Sequence, residues 1–569
     1  MSEAFRECRE LTSVEFAEGV ISMTVSKDAF AGCMKLTEIV LPSTMSEFPA
    51  EVINNTESIR SIVVPASSPY FVADGTAIYS KDNTELYYYS RSATFENGVF
   101  KAKDSVTRIH ANVFSENRNI KKVVIGKNIE QIDDYAFANM PRLVEIEFEE
   151  GTKPLNFGVG VFSGNAGITT FAFPERAATI GEEMFKGSMI TSISIGKGIV
   201  SIGDYAFKDC TMLTTINFAP DGALENIGKS AFNGAGITSV TFPDSLLTIG
   251  ASAFGKVSSL VSVEFSATSK IKVIEQQAFE HTSITSVYLP ATLEEVGQYV
   301  FRKCEKLAVV TVEKGIKLAG FNVGMFSNTA IKEIEIPNTM TYVGTSAFAN
   351  CASLEKVTFE EGGTEDLVIG WNPSVNKNVG MSFNQCTALT SVHLPSRLVE
   401  LGSLTFNNAN KLSEVTFVDK AEEGKDPEPS RLVEIGSSAF ANACFATIDI
   451  PDTVETIETN AFKGNTKLKS IEIPASVLNK PRTGTRKQIV GLGTSVFEGC
   501  TALTTAKFND NSSAEGMELG ITFSDKLFYG CTSLTTVNFP SHLKWAYGAG
   551  TTIMPAISDN AFYNCKKLT

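Results

Sequence analysis

Phenylalanine returns along this 569-residue chain every 20–30 residues or so, each time inside the same short grammar. Residues 202–218, IGDYAFKDCTMLTTINF, show it: an Ala-Phe pair, a Cys three residues after the Phe, a Leu or Ile five or six after it, then an apolar-x-apolar strand. The anchors run from Phe5, Phe30 and Phe114 through Phe207 and Phe254 to Phe528 and Phe562, with Ile53 standing in for one more. A fixed period of this length means a solenoid. Each unit then packs only on its neighbours, and the core is one long ribbon. The three or four globular domains that length alone would suggest are therefore not expected.

The unit reads position by position. In residues 284–301, ITSVYLPATLEEVGQYVF, the residues Ile284, Val287 and Leu289 are expected to point inward and Tyr288 outward, a period-two strand pattern. Pro290 ends that strand, because proline cannot donate to a ladder. A second short extended piece carries Leu293 and Val296. Gly297 follows, four residues before the Phe; Gly158, Gly203, Gly228 and Gly250 fill the same slot. The Gly suggests a bend with positive φ. The Ala-Phe-x-x-Cys piece is too short for a long helix, and one helical or 3-10 turn is expected there. From Phe162 to Phe348 the anchor spacing alternates between 22–23 and 22–25 residues, which marks a two-repeat supra-unit.

Chemistry is sparse. Nine of the ten cysteines sit three residues after an anchor Phe; Cys444 is off by one. The slot also accepts Met140, Val257 and Thr282, so it reads as a core position holding buried thiols, with an occasional disulfide between adjacent repeats as the alternative. There is no CxxC and no His partner for a metal site. His110, His281, His393 and His542 fall in four different slots and form no cluster. The GxG strings at Gly158 and Gly491 lack a following helix with Lys-Ser or Lys-Thr, so they are repeat bends and not phosphate loops. No cofactor and no enzymatic activity are expected. A net charge of −15 argues against nucleic acid as a partner, and no apolar run is long enough to span a membrane.

The string IGxxAFxxCxxLxxIxIP, present as IGDYAFKDCTMLTTINF and VGTSAFANCASLEKVTF, resembles the BspA-type leucine-rich repeat over essentially all of residues 1–569. The ribonuclease-inhibitor pattern LxxLxLxxN is absent. The fold expected is an α/β repeat solenoid: a leucine-rich-repeat-like arc with a parallel β-sheet on the concave side and short helical or 3-10 turns on the convex side. The resemblance implies a binding or adhesion scaffold, extracellular or on a cell surface. Its partner would be a protein, such as a host matrix protein or receptor, or a glycan. The sequence carries no signal peptide, and both ends fall inside a repeat, so a piece of a longer chain is expected. The alternative is a structural protein that stacks on itself through exposed repeat edges.

Four stretches follow: regular repeats over 1–66, a β-hairpin island over 67–100, regular repeats over 101–358, and repeats with long loop insertions over 359–569. The island holds Tyr70, Tyr79, Tyr87, Tyr88 and Tyr89, a residue type enriched at binding hot spots; packing onto the ribbon is the alternative for these rings. The insertions cover 360–381, 419–431, 478–490, 509–522 and 541–555, and they hold both tryptophans, Trp371 and Trp545. Insertions in a solenoid map to loops that are often its binding side. One outward strand column carries Glu15, Glu147, Glu264, Glu335, Asp449 and Glu472 against the single base Lys507, with Tyr288 and His393 in the same column. A neighbouring outward column is largely Ser and Thr. The candidate partner-binding residues are Tyr70, Tyr87, Tyr88, Tyr89, Tyr288, Glu335, Trp371, His393 and Trp545.

Overall fold

The structure is a computed structural model of the chain. It describes every residue except 1–3, 23–28, 49–55, 57, 76, 220, 418–427, 479–490, 510–523, 540–545, 548–552 and 555–556. The chain divides into two compact units, Met1–Ile271 and Lys272–Thr569. Both are stacks of coils, and each coil contributes to three ladders.

The first ladder is the apolar-x-apolar strand. Ser192–Ile195 pairs in parallel with Thr215–Phe218, so that Ile193 faces Ile216 and Ser194 faces Asn217. Ile193 is buried and Ser194 exposed, as period two requires. The second ladder is a two-residue strand before the Gly slot, as in Ser201–Ile202 on Asn226–Ile227. Between them lies the proline. Pro290 and Pro337 each open a tight turn, their carbonyls accepting from the N–H groups of Leu293 and Met340 at 3.1 Å.

The third ladder corrects the expected helical turn. Around Phe207, three successive tight turns run through the Ala-Phe-x-x-Cys piece: the N–H groups of Ala206, Lys208 and Cys210 donate to the carbonyls of Gly203, Tyr205 and Phe207 at 3.3, 3.0 and 3.2 Å. The intervening amides of Tyr205, Phe207 and Asp209 point along the stack instead. They donate to Lys229, Ala231 and Asn233 of the next coil at 2.8, 2.7 and 2.9 Å. Tyr205 and Asp209, two residues to either side of the Phe, have φ of 58° and 60°. The same two positions are left-handed around Phe137, Phe301 and Phe348. A helix would turn these amides inward to their own coil. The alternation of right- and left-handed residues turns them outward to the neighbouring one. Among the described residues, helix is confined to Ala475–Leu478 and a 3-10 turn at Glu96–Gly98.

The Gly slot is also corrected. Gly203, Gly228, Gly250 and Gly297 do not have positive φ. They are required by close approach: a Cβ on Gly228 would lie 2.7 Å from the Asp204 amide nitrogen, and one on Gly297 would lie 2.3 Å from that of Gln276. The second ladder draws one backbone onto the next here, and no side chain fits between.

Inside, the anchor rings stack. Phe185, Phe207 and Phe232 lie nearly parallel, with centroids 5.5 and 5.1 Å apart. In the second unit, Phe348, Phe383 and Phe406 repeat this at 5.3 Å. Every one of these rings is fully buried.

The two-repeat supra-unit has a physical basis in the first ladder. Ser192 to Thr215 is 23 residues, and these strands pair; Thr215 to Ser239 is 24, and they lie in separate sheets. The second unit does the same. Glu333 and Lys356, 23 apart, are paired, whereas Val309 and Glu333, 24 apart, are not. One extra residue breaks the register of a strand. Within a pair, the acid after one strand caps the exit of the other: Glu313 accepts from the Ala291 N–H at 2.7 Å and Glu360 from that of Asn338 at 3.2 Å.

Candidate functional site

Three regions carry the residues singled out above. The first is residues 67–100. Phe71–Asp74, Ala77–Ser80 and Glu85–Tyr89 form an antiparallel meander whose last strand pairs in parallel with Arg108–Ile109. The meander is thus built into the second ladder. Tyr88 is fully buried and sits among core residues. Tyr89 packs on Phe95, Phe100 and Phe114. Tyr87 stacks on His110 with ring centroids 3.9 Å apart, and its hydroxyl donates to Glu85 at 2.9 Å. Burial, with that bond to Glu85, pushes the Tyr87 phenol up to about 12. Tyr70, at 45% exposure, remains outward.

His110 was missed as a functional group by sequence reasoning, which saw only a histidine in the Gly slot. A side chain fits there because the preceding coil is the meander. Its Nε2 lies 2.7 Å from Glu85 Oε2 and its Nδ1 3.6 Å from Asp133, which Arg108 also meets at 2.9 Å. Burial would raise the Glu85 carboxyl, but the bonds from His110 and Tyr87 outweigh it and hold it below the usual carboxylate value. The node ties the meander to the coil that follows.

The second region is the outward strand column. Glu335 is exposed, in register with Thr358. Exposed His393 meets the Thr416 hydroxyl through Nδ1 at 2.6 Å. Tyr288 is half-buried between exposed Ser286 and the strand's exit, where burial and a hydrogen bond to Glu313 raise its phenol.

The third region is the insertion over 360–381. Leu367–Asn372 continues the second ladder, parallel to Tyr342–Gly344 and to Leu398–Leu401, then turns back as Lys377–Asn378. Trp371 is half-buried on this hairpin, and its carbonyl accepts from the Thr345 N–H at 2.8 Å. Val375 at the tip is 60% exposed. Ser374 is hydrogen-bonded to Gln298, which holds the tip against an earlier coil. Trp545, and most of the insertions over 419–431, 478–490, 509–522 and 541–555, lie outside the described residues.

Matches to the BspA type leucine rich repeat region, a profile of six copies, cover residues 1–106, 82–214, 178–308, 225–355, 319–366, 368–426 and 429–569. The chain belongs to the BspA-type leucine-rich repeat family. Among solved structures it is similar to a leucine-rich repeat protein from Bacteroides ovatus, at 22% identity over 78% of this chain and 93% of that one, with a TM-score of 0.47. It is also similar to a leucine rich cell surface protein from Faecalibacterium prausnitzii, at 20% identity over 79% and 97%, with a TM-score of 0.32. The pneumococcal vaccine antigen PcpA matches at 16% identity over 82% and 93%, with a TM-score of 0.37. No curated protein matches the chain.

In this BspA-type chain the slot three residues after the Phe does more than fill space. Cys210 and Cys304 donate through Sγ to the carbonyls of Phe185 and Phe279 at 3.0 and 3.1 Å. Asn165 serves Phe137 and Phe162 together through Nδ2, and Thr282 serves Phe279 through Oγ1. The signal was present in the sequence: Cys, Asn and Thr share a donor, whereas a purely apolar slot would not keep returning to them. Burial pushes the Cys210 and Cys304 thiols up to about 11, which keeps them protonated and unreactive. All ten cysteines are free thiols. Among the described residues, no group of three or more His, Cys, Asp or Glu could hold a metal ion, and no helix is long and apolar enough to cross a membrane.

Proposed function

We propose that this chain is a non-enzymatic, protein-binding scaffold of the adhesion type, secreted or displayed on a cell surface. In this reading the hairpin at Leu367–Asn378 is a partner contact. The observation that carries it is the way the insertion is built. Its first strand keeps the second ladder unbroken, while its tip places Val375 and half-buried Trp371 at the surface, anchored through Ser374. A rigid aromatic held on a ladder binds at little entropic cost. Tyr70, Tyr288, Glu335, His393 and Trp545 are proposed as further contacts. The surface protein from F. prausnitzii and the pneumococcal antigen, similar in fold, support the cellular location. The partner expected is an extracellular matrix protein or a receptor ectodomain.

The test is cross-linked capture by immobilised matrix proteins and receptor ectodomains, comparing the natural chain with a Trp371→Ala, Val375→Asp variant. The expected result is capture by the natural chain and at least a tenfold loss in the variant at unchanged melting temperature. Equal capture by both would remove the hairpin from the site. No capture of any such protein would overturn the reading.

A further inference from the structure

The outward positions of the first ladder lose all charge over one window of the first unit. It lies between Glu147 and Glu264, which stand exposed in the same column on either side. In the window, Thr170, Ser192 and Thr215 lie in register across three bonded strands. Ser239 takes the same position on the next coil. The companion column holds Ala172, Ser194, Asn217 and Thr241. A third column of threonines precedes the strands, and two of its hydroxyls are fixed: Thr191 donates to the Thr169 carbonyl at 3.0 Å and Thr214 to that of Thr191 at 3.4 Å. In a chain of net charge −15 this is a flat, uncharged lattice of hydroxyls.

We propose that this window binds an uncharged polysaccharide laid along the stack, one sugar ring to each coil. Three properties select that ligand. Neighbouring strands are about 4.8 Å apart, close to the advance per ring of an extended pyranose chain. An extended peptide crossing the strands presents its groups every two residues, about 6.7 Å, and falls out of step. A basic or acidic partner finds no counter-charge here, and a protein partner finds no aromatic or Arg anchor of the kind that dominates protein interfaces. The short side chains, three of them β-branched threonines in each outer row, have little rotamer freedom to lose on binding. Each hydroxyl contact is weak in water, so affinity builds with the number of rings engaged.

The experiment is affinity electrophoresis of the full chain in gels containing neutral β-glucans of increasing length, a neutral α-glucan, or anionic alginate. The expected result is retardation by at least one neutral glucan, growing with chain length and equal at low and high salt, with none by alginate. Thr215→Arg should weaken that retardation at least tenfold, and Lys208→Ala on the outer turn should leave it unchanged, with both variants melting like the natural chain. Ser194→Trp blocks the lattice without adding charge and should act like Thr215→Arg. Retardation by no neutral glucan, retardation that salt abolishes, or retardation that survives both lattice substitutions would each overturn the proposal. Protein capture through the hairpin of the second unit is independent of every one of these outcomes.

Discussion

At the scale of single residues, the glycines separate two reasons for a missing side chain. Gly297 has ordinary φ, but a Cβ there meets the Gln276 backbone at 2.3 Å. Gly196 has ordinary φ and nothing within 4 Å of the built Cβ. Gly297→Ala should therefore destabilise the chain by about 1–3 kcal/mol through overpacking. Gly196→Ala should be neutral or stabilise it by up to about 1 kcal/mol, by restricting the unfolded chain. Urea midpoints of the two variants check this, and equal midpoints would remove the close-approach account. A sequence shows the recurrence of such a glycine but not its cause, since the contact lies in another coil. The tyrosines illustrate the same limit. The alternation in Glu85–Tyr89 separates Tyr88 from Tyr87 and Tyr89, but only His110 and the Phe95–Phe100 pair show that the outward rings are also occupied. Glu85 gives a pH dependence. Its carboxyl lies below its ordinary value in the folded chain, so its contribution is present above the unfolded value, about 4.3, and is lost as pH falls through the depressed one. Amide exchange in Ala77–Ser80 and Glu85–Tyr89 should accelerate below about pH 4 relative to the coils that follow, and Glu85→Gln should abolish that difference.

At the scale of elements, the strands and proline exits were legible because their periodicity is local. The outer turn was not. Its amides are satisfied by the next coil, a partner some 22–25 residues away, and nothing within Ala-Phe-x-x-Cys distinguishes that from one helical turn. The insertions hide a second non-local device. Arg176 reaches back to the carbonyls of Ile129 and, at 3.1 Å, Gly126. Arg397 reaches those of Met340 at 2.8 Å and Pro337 at 3.5 Å. In both cases the target is a tight turn two coils earlier, and the Arg carbonyl accepts from the N–H of Leu155 or Leu367 in the widened coil between. Each Arg fills the space left where the intervening coil departs from the regular exit turn. Arg397 is 2% exposed. Arg397→Met keeps the apolar stem but strands the Met340 carbonyl, and should cost about 1–3 kcal/mol. Arg397→Lys should recover only part of that, since an ammonium cannot span two carbonyls as the planar fork does. Chemical denaturation of the pair checks it; Met and Lys variants as stable as the natural chain would show the Arg to be a passenger.

At the scale of the whole molecule, everything that holds a coil comes from the coils beside it: three ladders, a stacked ring and a donor on the anchor carbonyl. No residue in the interior of either unit closes a contact across a globular core. A solenoid's stability is then a sum of local and nearest-neighbour contributions, and damage should stay near its source. Phe207 shows this most sharply, because its ring lies between Phe185 and Phe232 at 5.5 and 5.1 Å and is fully buried. Phe207→Ala removes about 3–5 kcal/mol of packing. In a single cooperative core that loss would lower amide protection everywhere by the same factor. Here, protection should fall by two or more orders of magnitude for the amides of Phe185, Phe207 and Phe232, each of which donates to the coil after it. The amides of Phe383 and Phe406, held by their own neighbours, should exchange as before. Native-state hydrogen exchange read by mass spectrometry resolves the two sets. A uniform loss would mean that the coils fold as one unit, and that binding at one window of the ribbon could be felt along its length; a confined loss means that each surface of the scaffold works on its own.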